Sequence, residues 1–290
     1  MGTLTCLGLG YCAVHYVEEF RQQFDRVIGT TRSLRDAGAP HGRVQMIPFD
    51  GTAASPGLVS LVEESEALLI SAPPLEPGDP VLATLAAPIA RGQTSAIVYL
   101  STIGVYGDSG GAWVDEDIPP RPGSPRSVAR LAAEEAWRRL GDENGKSVAI
   151  LRLSGIYGPG RNALVTLAEG KARRIVKPGQ VFNRIHVTDI AQAIDACFAR
   201  SAAGVFNLAD DEPAPPQDVI AFAADLRGRM PPPEIPFDAA RGGMSAMAQS
   251  FYAENRRVRN AKVKQTLGVR LAYPTYREGL RALFASGDGR

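Results

Sequence analysis

The chain has 290 residues, of which 44% are hydrophobic and 22% are charged, and this is the composition of a globular protein with one large domain or a domain with an attached lobe. Its formal net charge of +1 at pH 7 gives no general attraction to nucleic acid or to an anionic membrane surface. We therefore expect no nucleic acid as a partner. No apolar run reaches the ~18 residues that span a bilayer, so we expect no membrane partner either.

Strand and helix patterns alternate along the first half of the chain. Strands are predicted at 3–7, 26–30, 43–47, 67–70, 95–100 and 147–151, and helices at 13–24, 81–90 and 126–140. This alternation is typical of a Rossmann-type α/β fold, a doubly wound parallel sheet with right-handed crossovers. Ligands bind such sheets beyond the carboxyl ends of the strands, so the loops at those ends are the predicted binding site.

The first strand is followed by a glycine-rich turn, Gly8-Leu9-Gly10-Tyr11-Cys12-Ala13, which fits the pattern G-x-G-x-x-A. In this pattern Gly8 permits a tight turn, Gly10 lets the backbone approach a pyrophosphate, and Ala13 lets the helix pack closely on the strand. The phosphate then lies at the helix amino terminus, facing free N–H groups. The strand-turn-helix context favours a dinucleotide site made by these residues, Tyr11 and Cys12 included, over a plain glycine-rich turn.

The end of the second strand indicates which dinucleotide is bound. NAD sites usually carry an acid ~20 residues after the glycines, bonded to the ribose 2′-hydroxyl, whereas this chain has Thr31, Arg32 and Ser33 there and no acid before Asp36. Arg suits bidentate phosphate recognition, so we predict NADP rather than NAD. Alternatively, Arg32 is a solvated loop residue or stacks on the adenine of either cofactor. Asp50, at the end of the third strand, is predicted to accept a bond from the adenine amine or to cap the turn after it.

The second half of the chain is predicted to form a small carboxy-terminal α/β lobe. We assign residues 1–152 to the dinucleotide-binding domain and 153–290 mainly to a substrate-binding lobe, with 187–208 returning to the main sheet. Basic residues cluster at 169–180 and 255–264. They form either solvated faces or a basic rim for a phosphorylated or carboxylated substrate. Aromatic residues are not interleaved with them, which disfavours nucleic-acid stacking.

The cysteines and histidines show no metal or disulfide spacing. Cys6, Cys12 and Cys197 are scattered and odd in number, and the three histidines lie far apart in the chain. The first residues lack the basic start and the cleavage site of a signal peptide. We therefore expect reduced thiols, no bound metal and a cytoplasmic protein.

Several strand ends carry motifs in a family's order. The chain resembles the extended and atypical branch of the short-chain dehydrogenase/reductase superfamily, the NAD-dependent epimerase/dehydratase group. The motifs are Ser71-Ala72-Pro73-Pro74, Ser101-Thr102-Ile103-Gly104-Val105-Tyr106-Gly107, Ile156-Tyr157-Gly158-Pro159-Gly160-Arg161 and Asn183-Arg184-Ile185-His186-Val187-Thr188-Asp189. The resemblance implies the Rossmann fold, a nicotinamide cofactor, and contacts of Ser71, Ala72 and Pro73 with that cofactor.

The resemblance also assigns the catalytic positions. In the family a Ser or Thr polarises the substrate oxygen, a Tyr transfers the proton, and a Lys four residues later lowers the pKa of that Tyr and binds the nicotinamide ribose. Thr102 falls on the first position, and Arg126 and Arg130 fall on the other two. Arg stays protonated at neutral pH and is a poor proton shuttle, although it stabilises anions. A substitute acid or base is sought among Tyr106, Asp115, Glu116 and Tyr157, of which Tyr157 is expected near the nicotinamide.

Two functional hypotheses follow. The first is an NADP-dependent oxidoreductase of atypical mechanism that acts on a small substrate. The positive charge of Arg126 favours an anionic substrate. The second is a non-catalytic NADP-binding sensor or regulatory protein, because both members of the family's proton relay are replaced. Epimerisation or dehydration of a nucleotide sugar leans on that relay and is disfavoured. The chain is expected to be a monomer or a homodimer.

Overall fold

A computed structural model describes residues 2–32, 44–75 and 78–289. Its centre is a seven-stranded parallel sheet, whose order from edge to edge is β11-β7-β5-β4-β1-β2-β3 when strands are numbered along the chain. The strands are β1 (Thr3–Leu7), β2 (Arg26–Thr31), β3 (Val44–Pro48), β4 (Ala67–Ile70), β5 (Ala96–Thr102), β7 (Ser147–Leu153) and β11 (Gly204–Leu208). This confirms the predicted Rossmann-type fold.

Helices cover both faces of the sheet. One apolar layer lies between the sheet and α1 (Tyr11–Phe20), α6 (Val187–Ala199) and α10 (Ala261–Leu267). The other lies between the sheet and α2 (Pro56–Glu64), α3 (Pro80–Arg91) and α4 (Pro125–Asn144). Burial on both faces is why the strands are continuous apolar runs rather than alternating ones.

The helices on the second face begin at side-chain caps followed by Pro. Ser55, Asp79 and Ser124 each accept a hydrogen bond from a backbone N–H of the first turn of α2, α3 and α4. Pro at the first helical position loses no hydrogen bond, since that N–H has no helical partner. The helix α2 was not predicted. The predicted helix at 126–140 extends on to Asn144, where Gly145 in the left-handed conformation ends it.

The small lobe is built from paired short strands and helices. The pairs are β8 (Gly155–Tyr157) with β10 (Arg184–His186), β9 (Arg174–Val176) with β12 (Glu234–Pro236), and β6 (Trp113–Val114) with β13 (Arg257–Val258). The helices are α5 (Ala163–Ala168), α7 (Pro216–Leu226), α8 (Phe237–Arg241), α9 (Ala246–Ala253) and α11 (Tyr276–Ala285). After β10 the chain returns to the main sheet through α6 and β11. No helix in the described residues is long and apolar enough to cross a membrane.

Candidate functional site

The glycine-rich turn joins β1 to α1 in a backbone conformation that only glycine adopts readily. Gly8 has φ of +92°, and a Cβ added there would lie 2.8 Å from the backbone nitrogen of Ala72. The Gly8 N–H donates to the hydroxyl of Thr30 at 2.8 Å, and the Leu9 N–H donates to the Thr30 carbonyl at 2.8 Å. The turn is therefore held against the end of β2 and packed against the loop after β4.

The amino terminus of α1 is open to an anion. Gly10 is the N-cap residue, so no side chain caps the helix. Among the described residues, the hydroxyl of Ser71 would be the only group within 4 Å of a Cβ added at Gly10, at 3.9 Å. The side chains of Cys12 and Ala13 are buried in the core below the turn, which leaves their backbone N–H groups as the parts that can face a ligand. An uncapped helix start beside a glycine is the arrangement that receives a pyrophosphate.

Tyr11 links the turn to the loop after β8. Its hydroxyl donates to the carbonyl of Pro159 at 3.1 Å, and the guanidinium of Arg161 lies 5.6 Å from the centre of its ring. Partial burial raises the pKa of Tyr11 to about 12. Arg161 was not among the predicted site residues, although it ends a quoted family motif. It brings an exposed cation to the glycine-rich turn from 150 residues away in the chain.

The end of β2 carries the residues predicted to select the dinucleotide. Thr31 is half-buried at the end of the strand, and Arg32 is exposed just beyond it. Ser33 lies outside the described residues. Asp50 caps a turn, because its carboxylate accepts bonds from the N–H of Thr52 at 2.9 Å and from the Thr52 hydroxyl at 2.7 Å. These bonds hold the pKa of Asp50 below its usual value. The contact between Asp50 and adenine stays a prediction.

The loop after β4 lies directly beside the glycine-rich turn. The backbone N–H groups of Ser71 and Ala72 both donate to the carbonyl of Leu7 at 3.0 Å, and Pro73 is exposed next to them. Adjacent parallel strands end at the same edge of the sheet, so the two loops meet there. This geometry brings together the residues that the resemblance assigns to the cofactor.

Thr102 ends β5 within a cluster of hydroxyl groups. Its hydroxyl oxygen accepts a hydrogen bond from the N–H of Gly104 at 3.1 Å, so its own proton is free to donate. A Cβ added at Gly104 would lie 3.2 Å from the hydroxyl of Ser127 and 3.4 Å from that of Thr102. The hydroxyl of Ser127 in turn bonds that of Ser124, at 3.0 Å. Sequence reasoning missed Ser127, which is adjacent to the assigned Arg126.

The two arginines assigned to the proton relay differ in their surroundings. Arg126 is exposed in the first turn of α4. Arg130 is 8% exposed, and its Nη1 donates to the hydroxyl of Tyr99 at 3.1 Å and to the carbonyl of Leu100 at 2.9 Å. Its guanidinium also lies over the Tyr99 ring, 5.6 Å from the centroid. The i, i+4 spacing places both residues on one side of the helix, but only Arg126 presents its side chain to solvent.

A buried ion pair holds α4 to the strands beside Thr102. Arg152 donates to both carboxylate oxygens of Glu134, at 2.7 to 3.2 Å, and the two side chains are 5% and 3% exposed. The hydroxyl of Ser101 also donates to Glu134. A bidentate, fully hydrogen-bonded pair of this kind fixes geometry strongly. It therefore fixes the position of β5 immediately before Thr102.

The substitute proton donors considered from the sequence have structural partners. The Tyr106 hydroxyl donates to the side-chain oxygen of Asn207 at 2.8 Å, and Glu116 accepts from the Asn207 backbone N–H at 2.6 Å. Asp115 accepts from the N–H of Asp117 at 3.2 Å. Tyr157 was expected near the nicotinamide, but its ring lies in the apolar core of the small lobe, where burial raises its pKa far above the ordinary value. This burial makes Tyr157 a poor proton donor at neutral pH.

Comparisons with known proteins show what the chain is similar to. The model of the NAD dependent epimerase/dehydratase family matches residues 81–209. The chain is 29% identical over 220 residues to GDP-6-deoxy-D-mannose reductase of Pseudomonas aeruginosa, a match that covers 69% of this chain and 68% of the relative.

Solved structures share the whole fold. A conserved protein of unknown function from Silicibacter pomeroyi is 45% identical, with a TM-score of 0.87 and 99% of both chains covered. The UDP-glucuronic acid 4-epimerase of Bacillus cereus in complex with NAD is 18% identical, with a TM-score of 0.76 over 98% of this chain and 96% of that one. The chain therefore carries a region of the NAD-dependent epimerase/dehydratase family at residues 81–209.

Proposed function

We propose that this protein is an NADP-dependent oxidoreductase that acts on a small anionic substrate. The observation that carries the proposal is the uncapped start of α1 beside Gly10, where only the Ser71 hydroxyl approaches the space that a Cβ would fill. A dinucleotide fits this cradle, with its pyrophosphate on the backbone N–H groups and the cation of Arg161 nearby. When bound, the nicotinamide supplies or accepts a hydride. The similarity to a reductase favours this class of reaction.

The exposed cation of Arg32 supports NADP as the cofactor. A guanidinium pairs with the 2′-phosphate that distinguishes NADP from NAD, whereas the acid that usually bonds the ribose 2′-hydroxyl is missing at the end of β2. The similar epimerase from Bacillus cereus binds NAD. The affinity of the protein should therefore be measured for both NADPH and NADH.

Thr102 and Arg126 are the residues proposed to act on the substrate. Thr102 donates its hydroxyl proton to the substrate oxygen, because the oxygen of that hydroxyl already accepts from Gly104. Arg126 places a permanent positive charge in the first turn of α4, where it attracts an anionic substrate or a developing oxyanion. Ser127 lies against Gly104 and is a second hydroxyl donor toward the same space.

A non-catalytic NADP-binding sensor is the second candidate, and the surroundings of Arg130 favour it. Its Nη1 is engaged by Tyr99 and Leu100, and the tyrosines considered as substitute acids are buried or bonded to other residues. Under this reading the dinucleotide binds without turnover. In both cases we propose a cytoplasmic protein that is a monomer or a homodimer. Light scattering after gel filtration distinguishes the monomer from the homodimer.

The cofactor proposal is tested by titrating NADPH and NADH into the protein and into Arg32→Glu. We expect wild type to prefer NADPH and Arg32→Glu to lose at least about tenfold of that preference, the size of a charge-assisted phosphate contact. Arg26→Glu is the matched control, because Arg26 begins β2 at the end opposite the turn. An unchanged preference in Arg32→Glu contradicts the NADP proposal.

Turnover separates the two candidate functions. NADPH oxidation is followed with a panel of aldehydes, ketones and oxo acids, for wild type and for Thr102→Val. The enzyme proposal expects at least one anionic carbonyl compound to be reduced, with kcat lowered at least about tenfold in Thr102→Val and NADPH affinity unchanged. If NADPH binds and no compound is reduced above background, the sensor replaces the enzyme.

A further inference from the structure

The small lobe contains a cavity that the proposed cofactor site does not use. Its volume is about 310 Å³, and α5, α7 and α11 form its walls. Much of the lining is apolar and comes from residues such as Ala163, Val219, Ile220 and Leu280. Pockets that hold small ligands start at ~300 Å³ and are mostly apolar with a few converging polar groups. The polar groups of this cavity are Tyr157, Arg184, Tyr276, Thr166 and Arg173.

Arg184 brings a cation to the cavity without an acidic partner. Its Nη1 donates to the carbonyls of Phe182 at 2.9 Å and Ala214 at 3.2 Å, and its guanidinium lies 5.8 Å from the centre of the Tyr276 ring. Among the described residues no carboxylate lies within salt-bridge distance of it, unlike Arg152 with Glu134. Arg184 is partly buried, and a desolvated charge without a counter-ion is costly, so a site of this kind gains from binding an anion.

The nearest buried acid does not neutralise Arg184. Asp210 is 1% exposed, and one of its carboxyl oxygens accepts from the N–H of Glu212 at 3.2 Å while the other has no partner among the described residues. Burial raises the pKa of Asp210 to about 8, although Arg184 acts to lower it. Burial thus disfavours the charged form of Asp210, and its carboxyl makes no ion pair with Arg184.

Two phenol groups at the cavity lack good hydrogen bonds. Tyr276 is 1% exposed, and its hydroxyl has no partner among the described residues. The Tyr157 hydroxyl makes a single long contact, 3.4 Å to the carbonyl of Thr275. A buried polar group without a partner costs about 1–3 kcal/mol, so a ligand oxygen that reaches either hydroxyl removes a penalty.

We propose that this cavity binds a small organic carboxylate with an apolar body. The carboxylate pairs with the guanidinium of Arg184 and accepts from the Tyr276 hydroxyl, and the apolar walls enclose the body of the ligand. The proposal concerns a second site and does not depend on hydride transfer.

The experiment is isothermal titration of the full chain, without cofactor, with benzoate, cinnamate, benzamide, inorganic phosphate and UDP. We expect a benzoate or cinnamate complex of one ligand per chain. Benzamide keeps the ring and loses the charge, and it should bind at least about tenfold more weakly. Phosphate tests for a bare anion site and UDP for a nucleotide site. If either binds more tightly than both carboxylates, or if neither carboxylate binds at about 10 mM, the proposal fails.

Variants identify the cavity as the place of binding. Arg184→Met should weaken binding of the carboxylate at least about tenfold, as expected for the loss of a hydrogen bond to a charged group. Arg281→Met is the matched control, because Arg281 is exposed on α11 and pairs with Glu278 at the surface. Equal affinity of Arg184→Met and wild type overturns the proposal.

A second variant covers the case in which Arg184→Met does not fold. Tyr276→Phe removes only the unpartnered hydroxyl, so its melting temperature should be equal to or above that of wild type. Its carboxylate binding should nevertheless be weaker by about three- to tenfold. If binding is unchanged in Tyr276→Phe, the assignment of this hydroxyl is wrong. NADPH titration of the same variants should match wild type, which keeps this result separate from the fate of the proposed function.

Discussion

We expect Asp210 to make the stability of this protein fall as the pH rises through neutrality. Its pKa is raised by burial from 3.8 to about 8. Between these values the native state keeps the proton that the unfolded chain has released, so stability decreases by about 1.4 kcal/mol for each pH unit. From pH 6.5 to 8 the accumulated loss is about 1.5 kcal/mol, because the slope flattens near the native pKa. Asp210→Asn removes this loss and keeps the oxygen that accepts from Glu212.

The pH window isolates Asp210 from other buried groups. Burial lowers the pKa of His186 to about 4, so its titration destabilises the native state below the ordinary pKa of 6.5 and has little effect on stability above it. Burial raises the pKa of Asp189 to about 6, and its destabilising effect is nearly complete by pH 6.5. Both groups are also shared by wild type and variant, so they cancel in the difference between the two proteins.

The assay is urea unfolding followed by circular dichroism at pH 6.5, 7, 7.5 and 8. The stability of Asp210→Asn relative to wild type should rise by about 1.5 kcal/mol across this range. Asp211→Asn makes the same charge change at the exposed neighbour, which pairs with Lys264 at the surface, and should show little such trend. Parallel stability curves for wild type and Asp210→Asn refute the reasoning.

The remaining predictions concern the phosphate turn and the ion pair behind Thr102. Gly8→Ala should unfold at lower urea concentration than wild type, because its Cβ meets backbone at 2.8 Å and its φ is +92°. Gly10→Ala should keep wild-type stability and lose NADPH affinity, since among the described residues its Cβ meets nothing closer than the Ser71 hydroxyl at 3.9 Å and would enter the space proposed for the pyrophosphate; equal affinity contradicts the proposed cradle. Glu134→Gln should lower the free energy of unfolding by about 3–5 kcal/mol by leaving Arg152 unpaired in the interior. Adding Arg152→Met should recover part of that loss, and a loss below about 1 kcal/mol would show that the pair is unimportant.

The local parts of the site were predictable from sequence. Gly8, Gly10 and the end of β2 belong to one strand-helix-strand unit, so their geometry depends on short-range rules. The helix α2 escaped prediction because it is short and carries Gly57 in its first turn, and its apolar residues Leu58, Leu61 and Val62 complete their pattern only when buried on the sheet.

Contacts between distant segments were not predictable. Arg161 reaches Tyr11 across most of the chain, and the Glu134 to Arg152 pair depends on how a helix is placed on a strand. The burial of Tyr157 was not predictable for the same reason. The pairing of β8 with β10 places its ring in the core of the small lobe, against His186 at 5.0 Å, and the motif alone does not predict this packing.

Arg130, Arg152 and Arg184 differ in the groups that offset their positive charge. Arg152 has a carboxylate, and Arg130 has a phenol and a carbonyl, so each is bound within the protein. Arg184 is only partly buried, and it has two carbonyls and no carboxylate within salt-bridge distance among the described residues. A guanidinium without a counter-ion costs stability that hydrogen bonds to carbonyls only partly offset. The small lobe thus retains an unbalanced cation at a cavity, while exposed Arg126 offers another near the proposed cofactor, and this distribution is the physical basis for expecting anions at both places.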